Sequence, residues 1–368
     1  MLARLLGDLV GQSGSRSGGG KILSQSPNTL TIKVEKGLVQ HDKIECPFVL
    51  HFCRSGGVIV SPFNKEKEIA NQAMDRREFV SRAVLATSLG AVMGVSASAG
   101  EQRSHSYRIC AFEKFLQDLS YDELADTIAE LGFVGIEATV RNGGHVLPER
   151  VEDDLPKLVE ALKKRDLEVT TMTSDVLSPD QPLTEKVLRT AVGLGVKSYR
   201  MGYYRYDLTR PIVKQLEEIR PRLSELAALN RELGITALYQ NHSGAKNVGA
   251  TLWDLYLLIK DIPRDEIGCA FDIRHATVEA GLSWPVLYNL IKPHIGALYV
   301  KDFVWKGNKS QHVPLGTGRV DPHFFEIIQQ DNIQGPISLH VEYLGKGSTQ
   351  ENIDALRRDL KVLRGWLN

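Results

Sequence analysis

Two patterns of hydrophobic and polar positions alternate from residue 107 to the end of the chain. Short runs rich in β-branched and aromatic residues are followed by longer segments whose apolar residues recur every three or four positions. The short runs predict strands and the longer segments predict helices. The eight predicted strands, each with a helical pattern after it, are Tyr107–Phe112, Val134–Thr139, Leu167–Thr173, Val196–Met201, Ile235–Asn241, Ile267–Ile273, Ile295–Phe303 and Ile337–Tyr343.

Helix boundary signals support this division. Ser120 and Glu123 form a predicted capping box at the start of the first helix, and Gly132 is placed to end it. Gly195 and Gly234 likewise follow helical patterns just before a strand. Such repeated units favour a parallel (β/α)8 barrel over a doubly wound sheet. No GxGxxG motif follows the first strand and no GxxxxGK[ST] motif occurs, so no nucleotide cofactor is expected.

Composition excludes several function classes. The 368 residues include 45 basic and 45 acidic side chains, which gives a formal net charge of zero. A protein held to nucleic acid or to an anionic membrane by bulk charge is therefore not expected. The 4 cysteines show no paired CxxC spacing, which argues against a disulfide-built fold and a zinc ribbon.

Residues 74–99 have the three parts of an export signal. Arg76 and Arg77 precede Phe79 and an uncharged stretch that ends in Ala97-Ser98-Ala99. The paired arginines resemble the twin-arginine type, which implies the twin-arginine export machinery as a partner and a periplasmic location. The uncharged stretch is shorter than a membrane-spanning helix, so no stable membrane anchor is expected. An amphipathic helix at a domain edge is the alternative, with a cytoplasmic location if no signal is used.

Residues 1–73 show no sustained period. They are consistent with a small β module, a disordered leader, or a start codon assigned upstream of the true one at Met74. The export signal that follows favours the last interpretation. Cleavage after Ala99 would leave residues 100–368, close to the roughly 250 residues of a single (β/α)8 barrel.

Polar side chains are concentrated at the ends of the last four predicted strands. In this fold the chemistry lies at the carboxyl ends of the strands, and a charge there needs a partner, a metal ion or water. These side chains, in chain order, are Gln240, His242, Asp272, Tyr299, Lys301, His340 and Glu342.

Each of these positions also has a structural interpretation. Glu342 lies within an apolar run, which favours a functional role. Asp272 could instead be a helix cap, and Lys301 with Asp302 could be a surface ion pair. His340 is expected to be a core histidine held by hydrogen bonds.

The strand ends resemble those of the xylose isomerase-like TIM barrels, the sugar phosphate isomerase/epimerase group. The resemblance extends from Tyr107 to Asn368. The segments that carry it are Gln240-Asn241-His242, Asp272 with His275, Lys301-Asp302, Val341-Glu342 and the loop Pro314-Leu315-Gly316-Thr317-Gly318.

The resemblance implies a divalent metal ion, Mn²⁺ or Mg²⁺ before Zn²⁺, held by Glu, Asp, His and Glu on strands five to eight. Those positions carry Gln240, Asp272, Tyr299 and Glu342 in this chain, so two of the four depart from the family pattern. An amide oxygen can bind a hard cation but cannot act as a base, and a neutral phenol is a poor ligand. Three alternatives stay open: weak binding through Gln240, Asp272 and Glu342, replacement ligands such as His242 or His312, or no metal.

The same resemblance implies proton abstraction next to the carbonyl of a sugar or sugar derivative, by a sugar isomerase or epimerase. Glu342 is the expected base, His242 the second acid–base group and Lys301 the oxyanion-stabilising charge. One alternative is a lyase or hydratase that acts on a keto-sugar or keto-glycoside by β-elimination. Another is a sugar-binding barrel without catalysis. The expected partner is a small carbohydrate, and the oligomeric state is left open. The expected substrate-binding residues are His275, Arg274, Tyr299 and Arg200.

Overall fold

The computed structural model describes residues 107–368 and four strands nearer the N terminus. These four strands pair in chain order and form one antiparallel sheet. The chain divides into two compact units, Met1–Glu101 and Gln102–Asn368. The segment 74–99 lies outside the described residues, so the export signal and the fate of residues 1–73 stay predictions. The four strands are β1 Gly20–Ser26, β2 Thr29–Val34, β3 Phe48–Cys53 and β4 Val58–Pro62.

The second unit is a closed barrel of eight parallel strands, which confirms the predicted (β/α)8 fold. The strands follow chain order around the barrel, and the last pairs with the first. All are short and largely buried, because helices cover the outer face and side chains fill the interior. The strands are β5 Ile109–Phe112, β6 Gly135–Thr139, β7 Glu168–Thr173, β8 Ser198–Arg200, β9 Thr236–Gln240, β10 Ile267–Asp272, β11 Ile295–Val300 and β14 Ile337–Leu339.

Two strands end three or more residues earlier than predicted, and both differences bear on the site. The seventh ends at Val300, and the chain then forms a hairpin from β12 Asp302–Lys306 and β13 Lys309–Val313. The eighth ends at Leu339 rather than Tyr343. The apolar periodicity continues through both ends, so the pattern alone does not locate them.

The helices begin and end close to the predicted signals. Ser120 and Glu123 form the capping box of α1, and Gly132 ends that helix with a φ of 81°. Among the residues that the structure describes, no helix is both long and apolar enough to cross a bilayer. The helices are α1 Tyr121–Leu131, α2 Val151–Lys163, α3 Thr184–Gly193, α4 Ile212–Leu233, α5 Trp253–Ile259, α6 Ile273–Ala280, α7 Trp284–Ile291, α8 His323–Gln330 and α9 Thr349–Leu367.

Asp359 in α9 is a buried carboxyl that should make stability depend on pH. Its Oδ2 accepts a hydrogen bond from the Leu315 N–H at 3.3 Å, and burial raises its pKa from 3.8 to about 6. A folded-state pKa above the unfolded value stabilises the protein at low pH, and this stabilisation is lost as the pH rises through 6.

Asp359→Asn keeps an acceptor for Leu315 but cannot ionise. We expect the variant to be more stable than the wild type at pH 8 by about 1–3 kcal/mol, with the difference vanishing below pH 4. Urea unfolding at several pH values measures this. A variant that is equally destabilised at every pH would contradict the assignment.

Candidate active site

A buried lysine flanked by two carboxylates lies at the carboxyl end of the barrel. The Lys301 Nζ is 3.1 Å from Asp272 Oδ2 and 2.9 Å from Glu342 Oε2. β10 ends at Asp272, Lys301 follows β11, and Glu342 lies three residues beyond β14. The Lys301 side chain is only 4% exposed, so this ion pairing takes place largely away from water. Three side chains that the sequence placed at one mouth are therefore in direct contact.

Gln240 contacts the same oxygen of Asp272 as Lys301 does. Its Nε2 donates to Asp272 Oδ2 at 2.7 Å, and its Oε1 accepts a hydrogen bond from the Tyr203 hydroxyl. The backbone N–H of Asp272 donates to Asn241 Oδ1 at 2.7 Å, and the backbone N–H of His275 donates to Asp272 Oδ1 at 3.1 Å. The helix-cap interpretation of Asp272 is thus correct, and the same carboxylate also belongs to the charged centre.

A second layer of histidine, serine and arginine surrounds this centre. The rings of His242 and His275 are 4.0 Å apart, and Ser243 Oγ lies 2.8 Å from His275 Nδ1. Arg274 donates to Ser243 Oγ at 3.0 Å and to Ser310 Oγ on β13 at 2.8 Å. The guanidinium therefore links the end of β10 to the hairpin.

The site opens into a cavity of about 570 Å³, between the hairpin and the loop after β14. Two partly buried titratable side chains in its wall, Glu342 and His312, lie close together. The His312 Nε2 atom is 3.9 Å from Glu342 Oε2. This volume falls within the range of small-molecule sites. The lining residues are Lys306, Lys309, Ser310, Gln311, His312, Glu342, Tyr343 and Gly345.

Lys301 and the two carboxylates stabilise one another in their charged forms. Burial would raise the pKa of Glu342, but the Lys301 ammonium outweighs it and holds that pKa well below its usual range. Burial would lower the pKa of Lys301, but Asp272 and then Glu342 raise it above its ordinary value. At neutral pH the ammonium and the Glu342 carboxylate are therefore both charged.

The histidines near the centre are held neutral. Burial, followed by the charge of Arg274, lowers the pKa of His312 to about 4. Burial and then Lys301 lower the pKa values of His242 and His275, the latter to well below its ordinary value. At neutral pH His242 is consequently a proton acceptor rather than an acid.

A separate polar cluster lies in the barrel interior around Glu137. His340 Nε2 is 2.9 Å from Glu137 Oε2, Ser338 Oγ donates to the same oxygen at 2.6 Å, and Arg200 Nε lies 3.4 Å from Oε1. His340 is thus a core histidine, as predicted. Arg200 is buried, is hydrogen-bonded to Glu137 and Tyr203 and does not line the cavity, so its role in substrate binding stays a prediction. Tyr299 is also fully buried rather than exposed to the cavity.

The donors at the implied metal positions do not fit a divalent ion. Only Asp272 and Glu342 carry negative charge, and the Lys301 ammonium lies between them. Gln240 turns its N–H₂ group toward Asp272, and burial with the Glu137 charge raises the pKa of Tyr299 well above 10. The described part of the chain contains no group of three or more His, Cys, Asp or Glu side chains that could hold a metal ion.

Four features of the site and its surroundings were not predicted from the sequence. Lys114 follows the first barrel strand, and its Nζ is 3.5 Å from Glu342 Oε1. Its position after a strand could have identified it in the same way as the polar residues after the last four strands. Glu137 is a charge within an apolar strand, the signal that pointed to Glu342. The β12–β13 hairpin has a Gly307-Asn308 turn between its strands, a recognised hairpin signal. Nothing in the local pattern around Tyr203 predicts its contact with Gln240.

The chain belongs to the xylose isomerase-like TIM barrel family, whose model matches residues 125–366. This agrees with the parallel barrel and with the charged centre at the carboxyl ends of its strands. No curated protein matches the chain by sequence.

Solved structures with the same fold come from enzymes of several activities. The 3-keto-D-glucoside 4-epimerase YcjR from E. coli is 18% identical with a TM-score of 0.55, covering 70% of this chain and 99% of that one. The probable 3-DHS dehydratase AsbF from Bacillus anthracis is also 18% identical with a TM-score of 0.55, covering 70% and 98%. The D-allulose 3-epimerase from Methylomonas sp., in complex with D-allulose, is 15% identical with a TM-score of 0.54, covering 70% and 96%. At these identities the likeness establishes the fold alone.

Proposed function

We propose that this chain is an enzyme of the sugar isomerase/epimerase type, which removes a proton from a carbon next to a carbonyl and returns it elsewhere. The observation that carries the proposal is the Glu342 carboxylate, which lines the cavity while the Lys301 ammonium contacts it at 2.9 Å. A base beside a fixed positive charge is what enolisation requires.

Each group has a chemical role in this proposal. A substrate in the cavity would present its C–H bond to Glu342 and its carbonyl oxygen toward Lys301. As negative charge develops on that oxygen, Lys301 donates to it and withdraws from Glu342. The proton affinity of Glu342 then rises as the proton arrives, which offsets the low pKa of the free site.

The structural neighbours support a carbohydrate substrate. YcjR is a 3-keto-glucoside epimerase, and the Methylomonas enzyme binds D-allulose. The cavity of about 570 Å³ accommodates a molecule of that size. If the proposed export takes place, an unphosphorylated sugar is favoured over a cytosolic sugar phosphate.

One observation favours β-elimination as a second candidate. Epimerisation by two bases needs a proton acceptor on each face of the substrate, but Gln240 is uncharged and both ends of its amide are hydrogen-bonded. Glu342 alone could remove the proton while a group on the β-carbon leaves and takes a proton from water. The fold shared with AsbF, a probable 3-DHS dehydratase, supports this second candidate.

Incubation of the purified chain with free aldoses, ketoses and 3-keto-glycosides, followed by NMR, tests the proposal. An isomer or epimer of unchanged mass supports the first candidate. Loss of a substituent, with an unsaturated ketone absorbing in the ultraviolet, supports the second. Saturable binding of a sugar with no conversion would instead indicate a sugar-binding barrel and contradict both.

A further inference from the structure

We propose that the Lys301 ammonium takes the place of the divalent ion in this site, so that the wild-type chain binds no metal there. The part of the proposal that concerns binding does not depend on which reaction the enzyme catalyses. The catalytic part, that Lys301 supplies the positive charge for the oxyanion, rests on the proposed function.

The position of Lys301 is the first argument. Its Nζ lies within 3.1 Å of oxygens from both Asp272 and Glu342, the two carboxylates retained at the implied ligand positions. An ion that bridged these two oxygens would have to displace the ammonium. The ammonium is held there by the same attraction that would hold the ion.

The orientation of Gln240 is the second argument. Its Nε2 points at Asp272 and its Oε1 receives the Tyr203 hydroxyl. A metal ion needs the oxygen, and turning the amide would place N–H₂ against Tyr203 and break the bond to Asp272. Arg200 in turn donates to the Tyr203 hydroxyl, which leaves that hydroxyl free to act as the donor toward Gln240.

Charge balance is the third argument. The Asp272 and Glu342 carboxylates both lie within 3.1 Å of the Lys301 ammonium, so the centre contains its own compensating positive charge. Gln240 is uncharged and adds no negative charge that would require a divalent ion. A buried charge without such compensation would be costly.

Titration of the full-length chain with Mn²⁺ is the test that needs no substrate. After dialysis against Mn²⁺ and then metal-free buffer, we expect elemental analysis to find well under one ion per chain. The thermal unfolding midpoint should not change in millimolar Mn²⁺, because ligand binding to the native state would raise it. About one tightly held ion in the wild type, absent from Asp272→Asn, would overturn the proposal.

A designed gain of binding tests the role of Lys301 itself. The double variant Gln240→Glu and Lys301→Met has three carboxylates and no ammonium, so we expect it to take up about one Mn²⁺ per chain and to unfold at a higher temperature when Mn²⁺ is present. Lys164→Met, in an exposed pair with Glu160, is the matched control and should take up none. A folded double variant that takes up no Mn²⁺ would contradict the proposal. If the double variant does not fold, the wild-type titration still decides.

Treatment with a chelator distinguishes a failure of this proposal from a failure of the proposed function. Once a substrate is known, turnover should be unchanged after prolonged exposure to EDTA. Turnover lost to EDTA and restored by Mn²⁺ would overturn the metal-free site while leaving proton abstraction standing. Absence of any turnover, with the wild type still free of metal, would count against the proposed function alone.

Discussion

Glu342→Gln is expected to lower the turnover number by about 10²–10⁴-fold, the range that a positioned general base contributes. Glutamine has the same shape but cannot accept the substrate proton. The ammonium of Lys301 keeps Asp272 as a partner at 3.1 Å, so the site should retain its arrangement and its affinity for the sugar. Steady-state kinetics on a substrate found by NMR, with KM and turnover measured separately, checks this.

An exposed carboxylate provides the control. Glu160→Gln, in α2, removes a charge that pairs with Lys164 at the surface, and kinetics should stay within about twofold of the wild type because exposed pairs contribute little. Equal loss in both variants would indicate a general defect. Full activity in Glu342→Gln would show that another group is the base.

Asp302→Asn is expected to destabilise the fold by about 3–5 kcal/mol, a loss typical of a broken buried charge network. The Asp302 carboxylate is 1% exposed and accepts five backbone N–H groups. An asparagine would turn its own N–H₂ toward two or three of these donors, which would leave them unpaired. The five donors are the N–H groups of Phe303, Gly316, Gly318, Arg319 and Val320, at 2.8–3.1 Å.

Asp321→Asn is the matched control for urea unfolding. Asp321 is exposed and accepts one backbone N–H, from His323 at 3.0 Å, and the amide oxygen of asparagine can accept the same hydrogen bond. We expect a change below about 0.5 kcal/mol there. A similar small change in Asp302→Asn would show that the loop does not depend on the carboxylate.

Gly318 is part of the same arrangement. A Cβ built at this position would lie 2.2 Å from Asp302 Oδ1 and 2.4 Å from the Phe303 carbonyl oxygen, so only glycine allows the loop to approach the carboxylate. Gly318, in the loop that the resemblance singled out, thus has a structural role beside Asp302, for which half of a surface ion pair was one interpretation.

The Lys301-Asp302 pair shows what the sequence could and could not predict. Adjacent residues of an extended chain point to opposite sides, so a charge at Lys301 facing the mouth implies that Asp302 faces away. The predicted strand ends also placed Asp272 and Glu342 at the carboxyl end of the barrel, where the structure has them. The sequence pattern could not identify partners, because contacts such as Lys301 with Glu342 join positions far apart in the chain.

The ends of the last two strands were less predictable for a related reason. Apolar residues continue past Val300 and Leu339, so period two gives no signal that pairing has stopped. The break after Val300 accompanies the Asp302 contacts with a loop more than ten residues later. The position of Gln240 was predicted, but the direction of its amide depends on Tyr203, which only the folded structure brings near.

Exchange of substrate hydrogen with solvent tests the central claim most directly. In D₂O, the wild-type chain should incorporate deuterium at the carbon next to the carbonyl of its substrate, and Glu342→Gln should not, while Glu160→Gln should behave as the wild type. NMR detects the loss of that proton signal even where the reaction returns the starting sugar. Undiminished exchange in Glu342→Gln would contradict proton removal by Glu342.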